Sequence, residues 1–148
     1  MDREYYMSLA LELASEAADR GEVPVGCVIA DREGNIIGRG HNRRRELSDA
    51  TAHAELEAIR QACAALGDWR LEGCSLFVSL EPCPMCAGAI INSRIPTVVY
   101  GAKEELTGSC GSVINLFEER YGHKPAVYGG VLADESALLL KSFFKEKR

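Results

Sequence analysis

From Ser75 to Tyr100 the chain reads as strand, helix, strand, and this run limits the fold more than any other feature. Ser75 to Leu80 is a continuous strand-like segment, Pro84 to Ser93 a helix, and Thr97 to Tyr100 a second strand, stopped by Gly101. Pro82 and Pro84 fit the helix start, because the N–H groups of a first turn lack intrahelical partners. Strands that alternate with helices imply parallel pairing.

Other elements extend this unit. Tyr6, Ala10, Leu13 and Ala17 recur at helical spacing over residues 3–20, and Gly21 ends that helix. Val25 to Ala30 and Ile36 to His41 flank a turn at residues 31–35, which predicts a hairpin and an antiparallel sheet edge. Residues 42–51 are polar and turn-rich, hence a loop. From Ala52 the stripe Leu56, Ile59, Cys63 and Leu66 predicts a helix closed by Gly67. Residues 108–112 are glycine-rich and expected to be flexible, Val113 to Arg120 a short helix, and Ala126 to Val131 a further strand. Asp134 is the expected N-cap of a last helix ending near Lys147. The sum is an α/β chain, layered α/β/α around a mixed sheet.

Composition sets the outer bounds. With 148 residues, 47% hydrophobic and 26% charged, the chain suits one globular domain spanning 1–148. No apolar run approaches the ~20 residues of a membrane span. No hydrophobic signal segment follows the polar start, so a cytoplasmic location is expected. A net charge of −5 at first disfavours nucleic acid as a partner. The total hides two basic segments, however. Residues 39–45 carry Arg39, Arg43, Arg44 and Arg45, and residues 141–148 carry Lys141, Lys145, Lys147 and Arg148 against Glu146, leaving −12 elsewhere. Such runs suit either a solvated surface or an RNA backbone.

Six cysteines in a chain without a secretory signal point to metal or catalysis rather than disulfides. Cys27, Cys63, Cys74 and Cys110 are solitary and read as small buried residues. Cys83 and Cys86 form an i, i+3 pair at a helix start, where the dipole and free N–H groups favour thiolate. His53 stands 30 residues earlier at another predicted helix start, so two helix ends can converge on one ion. His53, Cys83 and Cys86 are candidate zinc ligands, and three ligands leave a fourth position for water. Glu55, two residues on, can move that water's proton without binding the metal. A closed structural site would instead need a fourth ligand such as His41, Cys110 or His123. A redox C-x-x-C would explain neither His53 nor Glu55.

His53-Ala54-Glu55 followed by Pro82-Cys83-Pro84-Met85-Cys86 is identified as the zinc-deaminase signature. Together with residues 21–26, His41-Asn42, residues 80–89 and Gly129-Val131-Leu132 with Glu135, it resembles the bacterial tRNA-specific adenosine deaminases over nearly the whole chain. The resemblance implies a cytidine-deaminase-like fold with a five-stranded mixed sheet, and a homodimer with one zinc ion per subunit. The implied substrate is a tRNA anticodon stem-loop, with adenosine-34 of tRNA(Arg) converted to inosine. It also implies that zinc-bound hydroxide attacks C6, with Glu55 as the proton shuttle. Carried over by position, Asn42 would bond the flipped nucleoside, the Ala54 N–H and Gly26 would meet the base, and Ala102, Lys103 and Glu104 would follow the anticodon loop. The chain departs from the family pattern at Glu104, where Asp is usual, at Gly122-His123, where Asn-His is usual, and at Ser136, where Cys is usual. Two other functions share these residues in part: a zinc deaminase of free bases or nucleosides of guanine or cytosine type, and a non-catalytic zinc-binding scaffold subunit.

Overall fold

In the computed structural model, which describes residues 2–146, five strands form one mixed sheet in the order β2-β1-β3-β4-β5. The elements are α1 (Arg3–Asp19), β1 (Gly26–Ala30), β2 (Ile36–His41), α2 (Arg44–Leu47), α3 (Ala54–Leu66), β3 (Ser75–Leu80), α4 (Pro84–Asn92), β4 (Thr97–Ala102), β5 (Ala126–Tyr128) and α5 (Ala133–Glu146). A single 3-10 turn, Leu116–Glu118, lies before β5. The expected hairpin is present, and β1 also pairs antiparallel with β3. β3, β4 and β5 run parallel, as the alternating pattern implied.

Strand periodicity sorts the side chains into two cores. Across the register Cys27–Val78–Tyr100, side chains join the layer of α3 and α4 with Ala54, Ala58, Ala62, Ala87 and Ile90. One residue along, Val28–Phe77–Val99 faces the opposite layer, where Tyr6, Met7 and Ala10 of α1 cover the sheet. Helix α5 packs beside α1 against β4 and β3. These are the three expected layers, and no helix among the described residues is long and apolar enough to cross a membrane.

Several expectations need correction. The buried face of α3 is Ala54, Glu55, Ala58 and Ala62, not the stripe of larger residues, and Leu66 is 44% exposed. The cause is the neighbouring strand. β2 offers Gly38 and Gly40, at which a Cβ would lie 2.2 Å from the carbonyl oxygens of Ala58 and Ala54 respectively. A helix that close to a strand accommodates only alanine, which turns the Leu56–Ile59–Cys63 stripe to the half-buried flank. β4 continues through Gly101 to Ala102, because glycine there is needed for space beside the Ser79 carbonyl rather than to end the strand. The loop at 42–51 contains the short helix α2, residues 113–120 hold only the 3-10 turn, and β5 ends at Tyr128. Asp134 lies inside α5 rather than at its cap. Of the second basic segment, Lys147 and Arg148 fall outside the described residues.

Candidate metal and substrate site

The ends of the three central strands and the starts of two helices meet on one edge of the sheet. Because β1 is antiparallel to β3, Gly26 at its start lies near the end of β3, where the chain turns into α4. His53 is the N-cap of α3 and Cys83 the N-cap of α4, with Pro84 at the first helical position as predicted. Neither side chain makes a capping hydrogen bond, and both point at a shared centre.

There the His53 Nδ1 lies 3.7 Å from Cys83 Sγ and 3.5 Å from Cys86 Sγ. Zinc bond lengths of ~2.0–2.1 Å to nitrogen and ~2.3 Å to sulfur, at a tetrahedral angle, place ligand atoms about 3.6 Å apart. The three donor atoms all lie within 4.8 Å of one another, and among the described residues no fourth His, Cys, Asp or Glu joins them. His41 Nδ1 sits 3.1 Å from the Asn42 carbonyl, His123 Nε2 2.7 Å from the Ile95 carbonyl, and the Cys110 amide bonds Glu81. Among the described residues the group thus offers three protein donors, the number that would leave a fourth tetrahedral position for water if zinc were held there.

Electrostatics agree with this donor set. The Cys86 thiol and His53 hydrogen-bond Cys83 and hold it down at about 4, while the same Cys83–Cys86 contact together with burial pushes Cys86 up. Two thiols this close ionise together only with a cation between them, which the cluster is shaped to receive. His53 is raised, chiefly by its contact with Cys83. Glu55 is 3% exposed, and burial lifts its carboxyl to about 7. A group in that range can take and return a proton at neutral pH. Elsewhere burial pushes the Cys27 thiol well up and Cys110 to about 12, as expected of inert buried cysteines; Cys63 is only half-buried.

Two hollows adjoin at this centre. A narrow cavity of about 130 Å³ is lined by His53, Glu55 and Cys83 with Asn42, Glu81 and Glu104. It shares Val23, Asn42 and Arg44 with a wider groove of about 590 Å³, walled by Arg45 and by Phe143 and Phe144 of α5. The predicted substrate contacts are divided by this geometry. Asn42 is in both hollows and is anchored: its Nδ2 donates to the Val23 carbonyl at 3.2 Å and its Oδ1 accepts the Ala54 N–H at 3.1 Å. Ala54 is fully buried and its N–H is given to Asn42. Glu104 lines the narrow cavity, whereas Ala102 and Lys103 border a separate groove beside Gly129 and α5. Gly26 is needed for helix packing, since a Cβ there would lie 2.0 Å from the Ala10 carbonyl oxygen of α1.

The departures from the family pattern have local roles. Ser136 is buried and its hydroxyl donates to the Ser79 carbonyl at 2.5 Å, seating α5 on β3. Gly122 has φ +81°, which glycine adopts without strain. Sequence reasoning missed Glu22 and Glu81, both 2% exposed. Glu22 accepts the N–H groups of Arg45 and Glu46 at 3.1 and 2.8 Å, and so holds α2 at the rim of the groove. An acid placed directly after a buried strand, as Glu81 is, was the available signal.

Residues 1–102 match the model of the cytidine and deoxycytidylate deaminase zinc-binding region. The tRNA-specific adenosine deaminase of Bacillus subtilis is 48% identical over 146 residues, covering 98% of this chain and 90% of the relative. The tRNA(Ile)-lysidine synthase of Deinococcus radiodurans is 50% identical over 142 residues, or 96% of this chain, but the chain spans only 24% of that longer relative. A structure solved in work on A-to-I editing by tRNA:A34 deaminases matches with a TM-score of 0.88 at 47% identity, covering 92% of this chain and 99% of that one. A guanine deaminase from Nitrosomonas europaea matches with a TM-score of 0.83 at 28% identity, covering 95% of this chain and 83% of that one.

Proposed function

Since the chain belongs to the zinc-binding cytidine and deoxycytidylate deaminase family, in the group of the tRNA-specific adenosine deaminases, we propose that it converts adenosine to inosine at wobble position 34 of a tRNA anticodon, tRNA(Arg) being the implied substrate. The observation that carries this reading is the buried Glu55 beside the His53–Cys83–Cys86 cluster, on the wall of a cavity that adjoins an arginine-lined groove. The narrow cavity suits one extruded base, and the wider groove suits the loop that remains outside.

His53, Cys83 and Cys86 would hold one zinc ion per subunit, which supplies an attacking water acidified to near neutrality. Glu55 would take a proton from that water and pass it to N1 of the adenine, then take a second proton from the hydroxyl added at C6 and pass it to the departing amine. Water is consumed, ammonia leaves from C6, and inosine remains. Asn42 keeps a second Nδ2 hydrogen for the substrate after its bond to Val23, and Glu104, which lines the narrow cavity, would contact the anticodon loop. On this reading Ala102 and Lys103, which border a separate groove, would follow the anticodon loop, and the Ala54 N–H and Gly26 would meet the base. The chain works as a single deaminase domain, 1–148, and as a homodimer, for which exposed Met85, Leu106, Val113 and Ile114 offer apolar surface. Six free cysteines suit a reducing cytoplasm.

The competing reading is a deaminase of free guanine or cytosine compounds, whose fold the Nitrosomonas structure shares. Assaying an anticodon stem-loop beside a panel of free bases and nucleosides separates them. Inosine formation in the stem-loop supports the tRNA reading; turnover of free compounds alone overturns it. Zinc in the purified protein without turnover of any substrate would point to a scaffold subunit.

A further inference from the structure

Glu81 is the residue between β3 and the Pro82-Cys83 start of the metal-binding helix, and its carboxylate is spent on one loop. Oε1 accepts the Glu104 N–H at 3.1 Å and the Ser112 hydroxyl at 2.5 Å; Oε2 accepts the Cys110 and Ser112 N–H groups at 2.9 and 3.1 Å. The backbone of the same segment adds to this. The Glu81 N–H donates to the Ala102 carbonyl at 2.8 Å, and the Pro82 carbonyl accepts the Ser109 N–H at 2.9 Å. Among the described residues no Lys or Arg pairs with this buried carboxylate, so its charge is balanced by the loop's own donors. At Gly108 a Cβ would stand 2.5 Å from the carboxylate, so the loop closes on Glu81 without room for any side chain. Glu81, Glu104 and Thr107 together line the cavity beside Glu55.

We propose that Glu81 is a positioning residue for the nucleic-acid substrate: its carboxylate latches residues 104–112 to the segment that carries Cys83, and so shapes the cavity wall formed by Glu104 and Thr107. A carboxylate is required, since four donors converge on its two oxygens and an amide would turn an N–H₂ toward two of them. The latch rests on the deaminase reading for what it positions, but not for its own existence.

Two readouts on the zinc-loaded enzyme test it. Hydrogen exchange needs no substrate: Glu81→Gln should remove protection from the Glu104, Cys110 and Ser112 amides while those of β3 and β1 stay slow. Unchanged exchange in the loop overturns the latch. With an anticodon stem-loop as substrate, Glu81→Gln should raise KM about tenfold and leave kcat within about twofold, and Glu81→Asp should recover part of the loss. Unchanged KM overturns the positioning role, and so does a fall in kcat that tracks lost zinc. Should Glu81→Gln fail to fold, Ser112→Ala removes one donor and keeps the carboxylate. It should loosen the same amides and raise KM two- to threefold; no change in either overturns the proposal. If wild-type enzyme leaves the stem-loop unaltered, the tRNA reading fails, while the exchange measurement still decides the latch.

Discussion

Glu55 sits in the first turn of α3, is almost wholly excluded from water, and has its carboxyl raised to about 7 by that burial. A surface acid chosen only to favour the helix dipole would be exposed. Its position beside three metal-ligand candidates suits the proton transfer proposed for it, and general acid–base groups contribute ~10²–10⁴-fold. Glu55→Ala should therefore lower inosine formation by at least about a hundredfold while zinc content and stem-loop binding persist; retained turnover removes Glu55 from the mechanism. Glu81 allows a prediction about stability. Burial alone would raise its carboxyl, but hydrogen bonds from Ser112, Cys110 and Glu104 outweigh that and hold it below the usual range. A depressed folded value gives stability that is present above the unfolded value, about 4.3, and lost as pH falls below it. The melting-temperature difference between wild type and Glu81→Gln should thus be largest near neutral pH and shrink below about pH 4. A difference independent of pH would contradict this account.

At the scale of elements, the close approach of α3 to β2 determines where the histidine stands. Gly38 and Gly40 face backbone carbonyls of α3, and Gly40 faces the first turn, next to His53. Gly38→Ala should cost about 1–3 kcal/mol of stability through overpacking, with zinc affinity little changed. Gly40→Ala should cost a similar amount and also weaken zinc binding, because displacing Ala54 displaces the cap residue. Thermal melts and competition with a zinc chelator measure the two effects separately, and equal zinc affinity in both variants would refute the coupling. The element order and the proline at the helix start were legible in sequence, because apolar period and proline chemistry are local properties. The buried face of α3 was not. It depends on how near β2 lies, and alanine carries too little hydrophobicity to mark a face until glycines opposite make it the only residue that fits.

For the molecule as a whole, a net charge of −5 says little about RNA until the charges are placed. Of the four arginines in residues 39–45, Arg43 is paired with Glu46 at 2.5 Å and Glu57 at 3.5 Å, while Arg44 and Arg45 line the groove and Arg39 stands exposed on β2 outside both hollows. If Arg44 neutralises one phosphate of a single-stranded loop, Arg44→Ala should reduce the slope of log affinity against log salt by about 0.7, and Arg39→Ala should leave it unchanged. Binding of a fluorescent stem-loop across a salt series gives both slopes, and identical effects would show that the segment acts only as diffuse charge. The amino-acid sequence by itself determined the layers, the parallel pairing of β3 with β4, and a His–Cys–Cys donor set with an acid two residues from the histidine. Those follow from short-range spacing and from the chemistry of the donors. Tertiary structure alone decided that His53, Cys83 and Cys86 meet with no fourth such residue among the described ones, that Asn42 is held between Val23 and Ala54, and that Glu81 joins the thiol segment to a loop more than twenty residues away. These are contacts between residues distant in the chain, set by strand register and by how closely glycine lets one backbone approach another.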